Sequence, residues 1–149
     1  MAQPGKAFYT GLFRHNLDDK GRLTIPSAWR YVHEESDTFL AVPVAGYIAV
    51  LPPAEVEKVY AQIAAMKLKD AATQASAAKF FSETQMLSFD KSGRVILDEG
   101  LLERAGIKRD AVLAGSLTKF NIYSPARWEQ EHALAAAQDS GGLLHRLDI

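Results

Sequence analysis

The sequence predicts an α+β fold in which two copies of one small unit interleave around a pseudo-two-fold axis and share a single core. Three observations carry this expectation. The passage Leu17-Asp18-Asp19-Lys20-Gly21-Arg22-Leu23-Thr24-Ile25-Pro26 returns as Phe89-Asp90-Lys91-Ser92-Gly93-Arg94-Val95-Ile96-Leu97-Asp98, at an offset of 72 residues. Around each passage the pattern runs in the same order: strand, turn, strand, short helix, strand, strand. A unit of that size cannot bury its own apolar face alone, so two copies in one chain are expected to close on each other.

The repeated passage has a direct physical reading. Asp18 and Asp90 suit the first position of a type I turn, where the carboxylate accepts hydrogen bonds from the turn's own backbone. Gly21 and Gly93, three residues on, are placed to take the left-handed conformation that closes a hairpin with a bulge. These four are the structural turn residues. Arg22 and Arg94 then leave the turn on strands whose inward residues in the first copy are Leu23 and Ile25. Each copy therefore reads as a β-hairpin with one Arg beside its tip.

In chain order, residues 1–7 read as an extension, and Phe8 to Leu17 as a strand with Phe13, His15 and Leu17 on one face. Pro26-Ser27 ends the second strand, and Ser27 is placed to cap a short helix from Ala28 to Glu35 that buries Trp29 and Val32. Strands Thr38–Val42 and Tyr47–Leu51 follow. Pro52-Pro53 starts a helix in which Val56, Val59, Tyr60, Ile63 and Met66 recur at helical spacing; Asp70 caps a second, Ala71–Ser82, with small residues along one face. The second copy gives strands Thr84–Phe89 and Arg94–Leu97, a short helix opened by Asp98 and closed by Gly106, and strands Ala111–Ala114 and Phe120–Ser124. A helix from Pro125 through Gln138, a break at Asp139-Ser140-Gly141-Gly142 and an apolar tail, Leu143–Ile149, follow. The first repeat with its linker helices is assigned to residues 8–82 and the second, with its helix and tail, to 83–149, as one shared-core domain.

Composition narrows the function. With 149 residues, 48% of them hydrophobic, the chain can bury an ordinary core. It has no cysteine, which excludes disulfides and thiolate metal sites. No apolar run reaches membrane-spanning length and the start carries no hydrophobic signal region, so a cytoplasmic location is expected. The formal net charge is -1, which does not mark a nucleic-acid binder, but residues 1–31 hold five basic residues against two acidic ones. A nucleic-acid partner would have to be held by a local patch.

No enzymatic constellation stands out. Asp18 and Asp19 could be paired carboxylates, but the turn already requires Asp18. The four histidines have no ligand spacing, Gly115-Ser116 lacks the nucleophile frame, and no phosphate-binding loop is present. No cofactor, metal or small-molecule substrate is expected. Trp29 and Trp128 read as core or interface anchors.

With those residues in view, the paired Asp-x-x-Gly-Arg passages resemble the MraZ family of bacterial transcriptional regulators, relatives of the AbrB-like swapped-hairpin proteins. The resemblance extends from Tyr9 through Arg30, the Ala105-Gly106 helix stop, Phe120 and Trp128 to the Leu144–Leu147 ending. It implies a swapped-hairpin fold and a nucleoid-associated, ring-forming regulator of the division and cell-wall gene cluster that binds repeated promoter elements. Arg22 and Lys20 are then the DNA-contacting residues, with Gly21 between them, and Thr10 stands where the family carries an Arg. The linker helix reads Ala75-Ser76-Ala77-Ala78-Lys79 where family members often carry arginines.

Two readings of Arg22 remain open at this level: a structural ion pair with a neighbouring Asp, which contributes little when exposed, or a DNA contact. The outward positions of the first hairpin, Leu12, Arg14, Asn16, Arg22 and Thr24, are basic and polar, which suits phosphates and base edges. Their equivalents, Thr84, Met86, Ser88, Arg94 and Ile96, are more apolar. Arg14 thus joins the DNA set, while Arg94, Met86 and Ile96 are assigned to structure or to an oligomer interface. The alternative to a DNA-binding regulator is a protein-interaction or antitoxin-type module on the same fold.

Overall fold

Strand pairing follows the duplication. In a computed structural model, which describes residues 6–66, 70–137 and 141–149, eight strands form two antiparallel sheets. Strands β1 (Leu12–Asn16), β2 (Arg22–Thr24), β3 (Phe39–Val44) and β4 (Tyr47–Leu51) come from the first copy. Their counterparts are β5 (Gln85–Leu87), β6 (Arg94–Ile96), β7 (Asp110–Gly115) and β8 (Phe120–Tyr123). The large sheet runs β1-β7-β8-β4-β3-β5 and the small one is β2-β6, so each order maps onto itself when the copies are exchanged. β1 pairs with β7 of the other copy as β5 pairs with β3, and the β4–β8 ladder lies at the centre.

This corrects the expected hairpins. Both turns form, but β1 does not ladder with β2, nor β5 with β6; each second strand leaves its own copy to pair with its equivalent, Leu23 opposite Val95. Burial explains the exchange. Leu23, Ile25, Val95 and Leu97 are all buried, and the β2–β6 ribbon lays them on the large sheet. There they meet Ala41, Val50, Leu113 and Ile122 in one core, with Tyr9, Trp29, Phe39 and Phe120 as its aromatic members.

The opposite face of the large sheet is covered by helices. α1 (Pro53–Ala65) packs on β3 and β4, and α4 (Pro125–Ala137) on β7 and β8, where Trp128 meets Tyr123. α2 (Ala71–Ser82) is capped by Asp70, whose side chain accepts from the Ala72 N–H as expected. The helical spacing from Val56 to Ile63 is present in α1, but the helix ends before Met66, which is extended; no residue of α1 is buried, and Tyr60 and Met66 stand exposed.

Shorter elements differ from expectation at their ends. The helix proposed for Ala28–Glu35 is a single 3-10 turn, Ser27–Trp29, and among the described residues the Ser27 side chain caps nothing; Pro26 fixes the entry and Trp29 fills the core. Its counterpart α3 (Glu99–Arg104) starts after an extended Asp98 without a side-chain cap and ends at Gly106, whose φ of +66° suits the stop. α5 (Gly141–Arg146) forms in the tail, with Leu143, Leu144, Leu147 and Ile149 exposed. The expected helix end at Gln138, with Asp139 and Ser140 of the expected break at Asp139-Ser140-Gly141-Gly142, lies outside the described residues, while Gly141 and Gly142 open α5 instead of breaking a helix. Among the described residues no helix is long and apolar enough to cross a membrane.

Candidate nucleic-acid interface

The two turns have one design. Asp18 Oδ1 accepts from the N–H groups of Lys20 and Arg22 at 2.9 and 2.8 Å, and Asp90 Oδ1 accepts from those of Ser92 and Arg94, both at 2.9 Å. Gly21 and Gly93 have φ of +76° and +75°, the conformation that closes each turn and that a side chain would strain. Each glycine carbonyl then accepts from the other copy's strand: Gly21 O from the Leu97 N–H at 3.1 Å, Gly93 O from the Ile25 N–H at 3.0 Å. The turns are thus fixed to the ribbon from both sides.

The ribbon's outward face gathers Arg22, Thr24, Arg94 and Ile96, since directly opposed residues of an antiparallel pair share a face. The sequence pattern alone puts Arg22 and Arg94 on two separate faces; inter-copy pairing puts them on one. Their partners differ. Arg22 donates through Nε to Asp18 Oδ2 at 2.5 Å, and among the described residues its two Nη groups have no partner. Arg94 donates through Nε to Asp90 Oδ2 at 2.9 Å and brings Nη1 to 3.9 Å from Asp18, so its charge spans both turns. Ile96 is 58% exposed beside them.

Arg14 and Thr10 do not join this patch. Arg14 lies opposite Val112, so it points to the helix-covered side of the sheet, where its guanidinium is 3.8 Å from Glu129. Thr10 lies at the far end of β1 from the turn, its carbonyl accepting from Trp29 Nε1 at 2.9 Å. The single outward face expected for the first hairpin fails because β1 belongs to the large sheet and β2 to the ribbon on its other side. Met86, 63% exposed, sits beside Leu40 on the helix-covered side, away from Ile96. Lys20 is exposed at the tip of the first turn.

Reading the sequence missed two arrangements. Arg30 donates through Nε to the Ile25 carbonyl at 2.8 Å and lays its guanidinium over Gly93, leaving no room there for a Cβ. Tyr9, His33 and Asp37 form a chain, Tyr9 Oη to His33 Nε2 at 2.5 Å and His33 Nδ1 to Asp37 at 3.0 Å, beside a cavity of about 570 Å³. Burial, with Asp37 and Tyr31 nearby, pushes the Tyr9 hydroxyl pKa well up, so it stays protonated. Neither arrangement has a local sequence signal, because each joins residues from segments far apart in the chain.

The turn carboxylates predict an acid limb in stability. The N–H of Arg22 above all, with its side chain and the Lys20 N–H, outweighs desolvation and holds the Asp18 pKa below its usual range. The Arg94 and Ser92 N–H groups, with the Arg94 side chain, do the same for Asp90. A carboxylate depressed in the folded state stabilises fully above its unfolded pKa of about 3.9, and that contribution is lost as pH falls through the folded value. Asp18→Asn/Asp90→Asn is expected to melt at a lower temperature than wild type at neutral pH. The gap should close below about pH 4. A gap that stays constant across melts in this range removes the assignment.

These features define a class: a duplicated strand–turn–strand protein whose copies exchange strands and present two Asp-anchored arginines on one ribbon. A family model described as "MraZ protein, putative antitoxin-like" matches residues 8–78 and 80–141, one match for each copy. The chain belongs to the MraZ family. Among curated relatives, a protein of Syntrophobacter fumaroxidans named transcriptional regulator MraZ is 31% identical over 127 residues, covering 84% of this chain and 85% of its own. One of the same name from Lactobacillus gasseri is 33% identical over 120 residues, covering 80% and 83%. A third, from Thermomicrobium roseum, is 28% identical over 130 residues, covering 87% and 91%.

Proposed function

We propose that this chain is a transcription regulator that binds DNA sequence-specifically as a ring oligomer on repeated promoter elements, in the division and cell-wall gene cluster, through an AbrB-like swapped-hairpin fold. The names of the relatives support the regulatory role, and the exchange of β2 and β6 between residues 8–82 and 83–149 supports the swapped-hairpin reading. The observation that carries the DNA contact is Arg22. It is held by Asp18 through Nε, on an outward face, with its Nη fork unpartnered among the described residues. A planar fork suits a guanine edge or a phosphate, and Lys20 on the same turn supplies a point charge for the backbone. Such a protein works in the cytoplasm, on the nucleoid.

The ring reading is supported by apolar side chains left uncovered on α1, α2, α5 and the ribbon, among them Tyr60, Phe80, Leu144 and Ile96. Several weak tips on one assembly would engage repeated sites together, which a chain of net charge -1 needs. The exposed helices also fit a protein partner, the antitoxin-type alternative. A mobility-shift assay on the DNA upstream of its own gene separates the two. Retention that fades with added salt, by a protein that light scattering finds as a cyclic oligomer, is the expected result. No shift at low salt removes the DNA reading, and a monomer at micromolar concentration removes the ring.

A further inference from the structure

The two turns share a backbone but not their surroundings. Under the 72-residue offset, Asp19 of the first turn becomes Lys91 of the second, and Arg30 becomes Leu102. Both exchanges make the second turn the more positive. At Gly93 the guanidinium of Arg30, delivered by the first copy, covers the turn backbone. Its Nε is occupied by the Ile25 carbonyl, and among the described residues its Nη groups have no hydrogen-bond or carboxylate partner. Lys91, two residues from Gly93, is exposed and likewise unpaired among the described residues. The charge of Asp90 is already taken up by the Ser92 and Arg94 N–H groups and by Arg94 Nε.

At Gly21 the neighbour is different. The equivalent of Arg30, Leu102, lines a cavity of about 660 Å³ beside the turn, together with Asp19, Asp98, Glu99 and Glu103. Lys20 and Lys108 are the cations on that wall. A phosphodiester approaching the first tip meets a mostly acidic wall; one approaching the second meets two cations that are unpaired among the described residues.

We propose that Arg30 and Lys91 form a second phosphate seat, assembled from both copies at the Asp90–Gly93 turn, which contacts the DNA backbone at least as strongly as Lys20 does. The seat rests on the DNA-binding reading above and deepens it. Arg30 is pre-set by its bond to Ile25, so little side-chain freedom is lost on contact, and Lys91 adds a mobile charge. Neither residue faces a base-reading position on the ribbon, so the contribution is to affinity at every sequence rather than to choice among sequences.

The test measures binding of the full-length chain to a mixed-sequence DNA duplex over a range of salt concentrations. Wild type, Arg30→Gln, Lys91→Gln and Lys20→Gln are compared, each checked by melting. Each phosphate contact contributes about 0.9 to the slope of log affinity against log salt. Arg30→Gln and Lys91→Gln are each expected to lower the slope by about that amount per engaged protomer. Lys91→Gln stands on an exposed turn position, so it keeps the test decisive if Arg30→Gln melts early. A wild type that binds with a slope unchanged by Lys91→Gln, or changed less than by Lys20→Gln, overturns the seat alone. A wild type that does not bind at low salt overturns the seat together with the DNA reading.

Discussion

Arg22→Ala is expected to abolish detectable sequence-specific DNA binding while the protein folds and assembles as wild type. The side chain lies on the outward face of the ribbon, and the core residue beside it, Leu23, points the other way. Truncation therefore opens no cavity. It frees Asp18, a carboxylate that water already reaches, so the loss of one exposed pair is small. On the DNA side a good bidentate contact is worth about 1–3 kcal/mol per protomer. An assembly that binds several sites at once loses that amount at each engaged tip, and the losses compound. Arg94→Ala is expected to act differently, because Arg94 links Asp90 with Asp18 across the two turns. Its removal should lower the melting temperature or loosen assembly more than Arg22→Ala does. Mobility shift paired with size exclusion reads both variants. If Arg22→Ala binds as wild type while Arg94→Ala assembles normally and fails to bind, the two turns have been assigned the wrong way round.

What the sequence made legible was what its local chemistry encodes. The Asp-x-x-Gly-Arg spacing specified both turns, down to the positive φ at Gly21 and Gly93, because only a few residue types satisfy that backbone. The alternation around Leu23 and Ile25 specified which side is buried, because the strand period is two. Pairing was not legible. A strand with one apolar face carries no label for its partner, so β2 read as the mate of β1 when its mate is β6. That one difference changes which residues share the ribbon's outward face: Arg14 lies off it, Arg94 lies on it, and Arg30 rests on a turn 63 residues further along the chain. Helix faces failed for a related reason. The spacing from Val56 to Ile63 predicts an amphipathic helix correctly but not what covers it, and within one chain little does.

A fragment of residues 1–70 is expected to show no cooperative unfolding as a monomer. It would keep β1 to β4 but lose β7, β6, β5 and β8, the partners of β1, β2, one edge of β3 and one edge of β4. Only the β3–β4 ladder survives intact, and an isolated two-stranded hairpin is at best marginal in water. Leu23, Ile25 and Trp29, fully buried in the whole chain, would lose Val95, Leu113 and Phe120 from the core that encloses them. Each large apolar side chain exposed in this way forfeits about 1.5–3 kcal/mol, so three of them approach the total stability of a small domain. The pseudo-two-fold design leaves the fragment one escape, which is to pair with a second copy of itself in place of the missing half. Thermal melts must therefore be run beside sedimentation. A fragment that melts cooperatively while sedimenting as a monomer would show that the first copy holds a core of its own, and the shared-core account would fail.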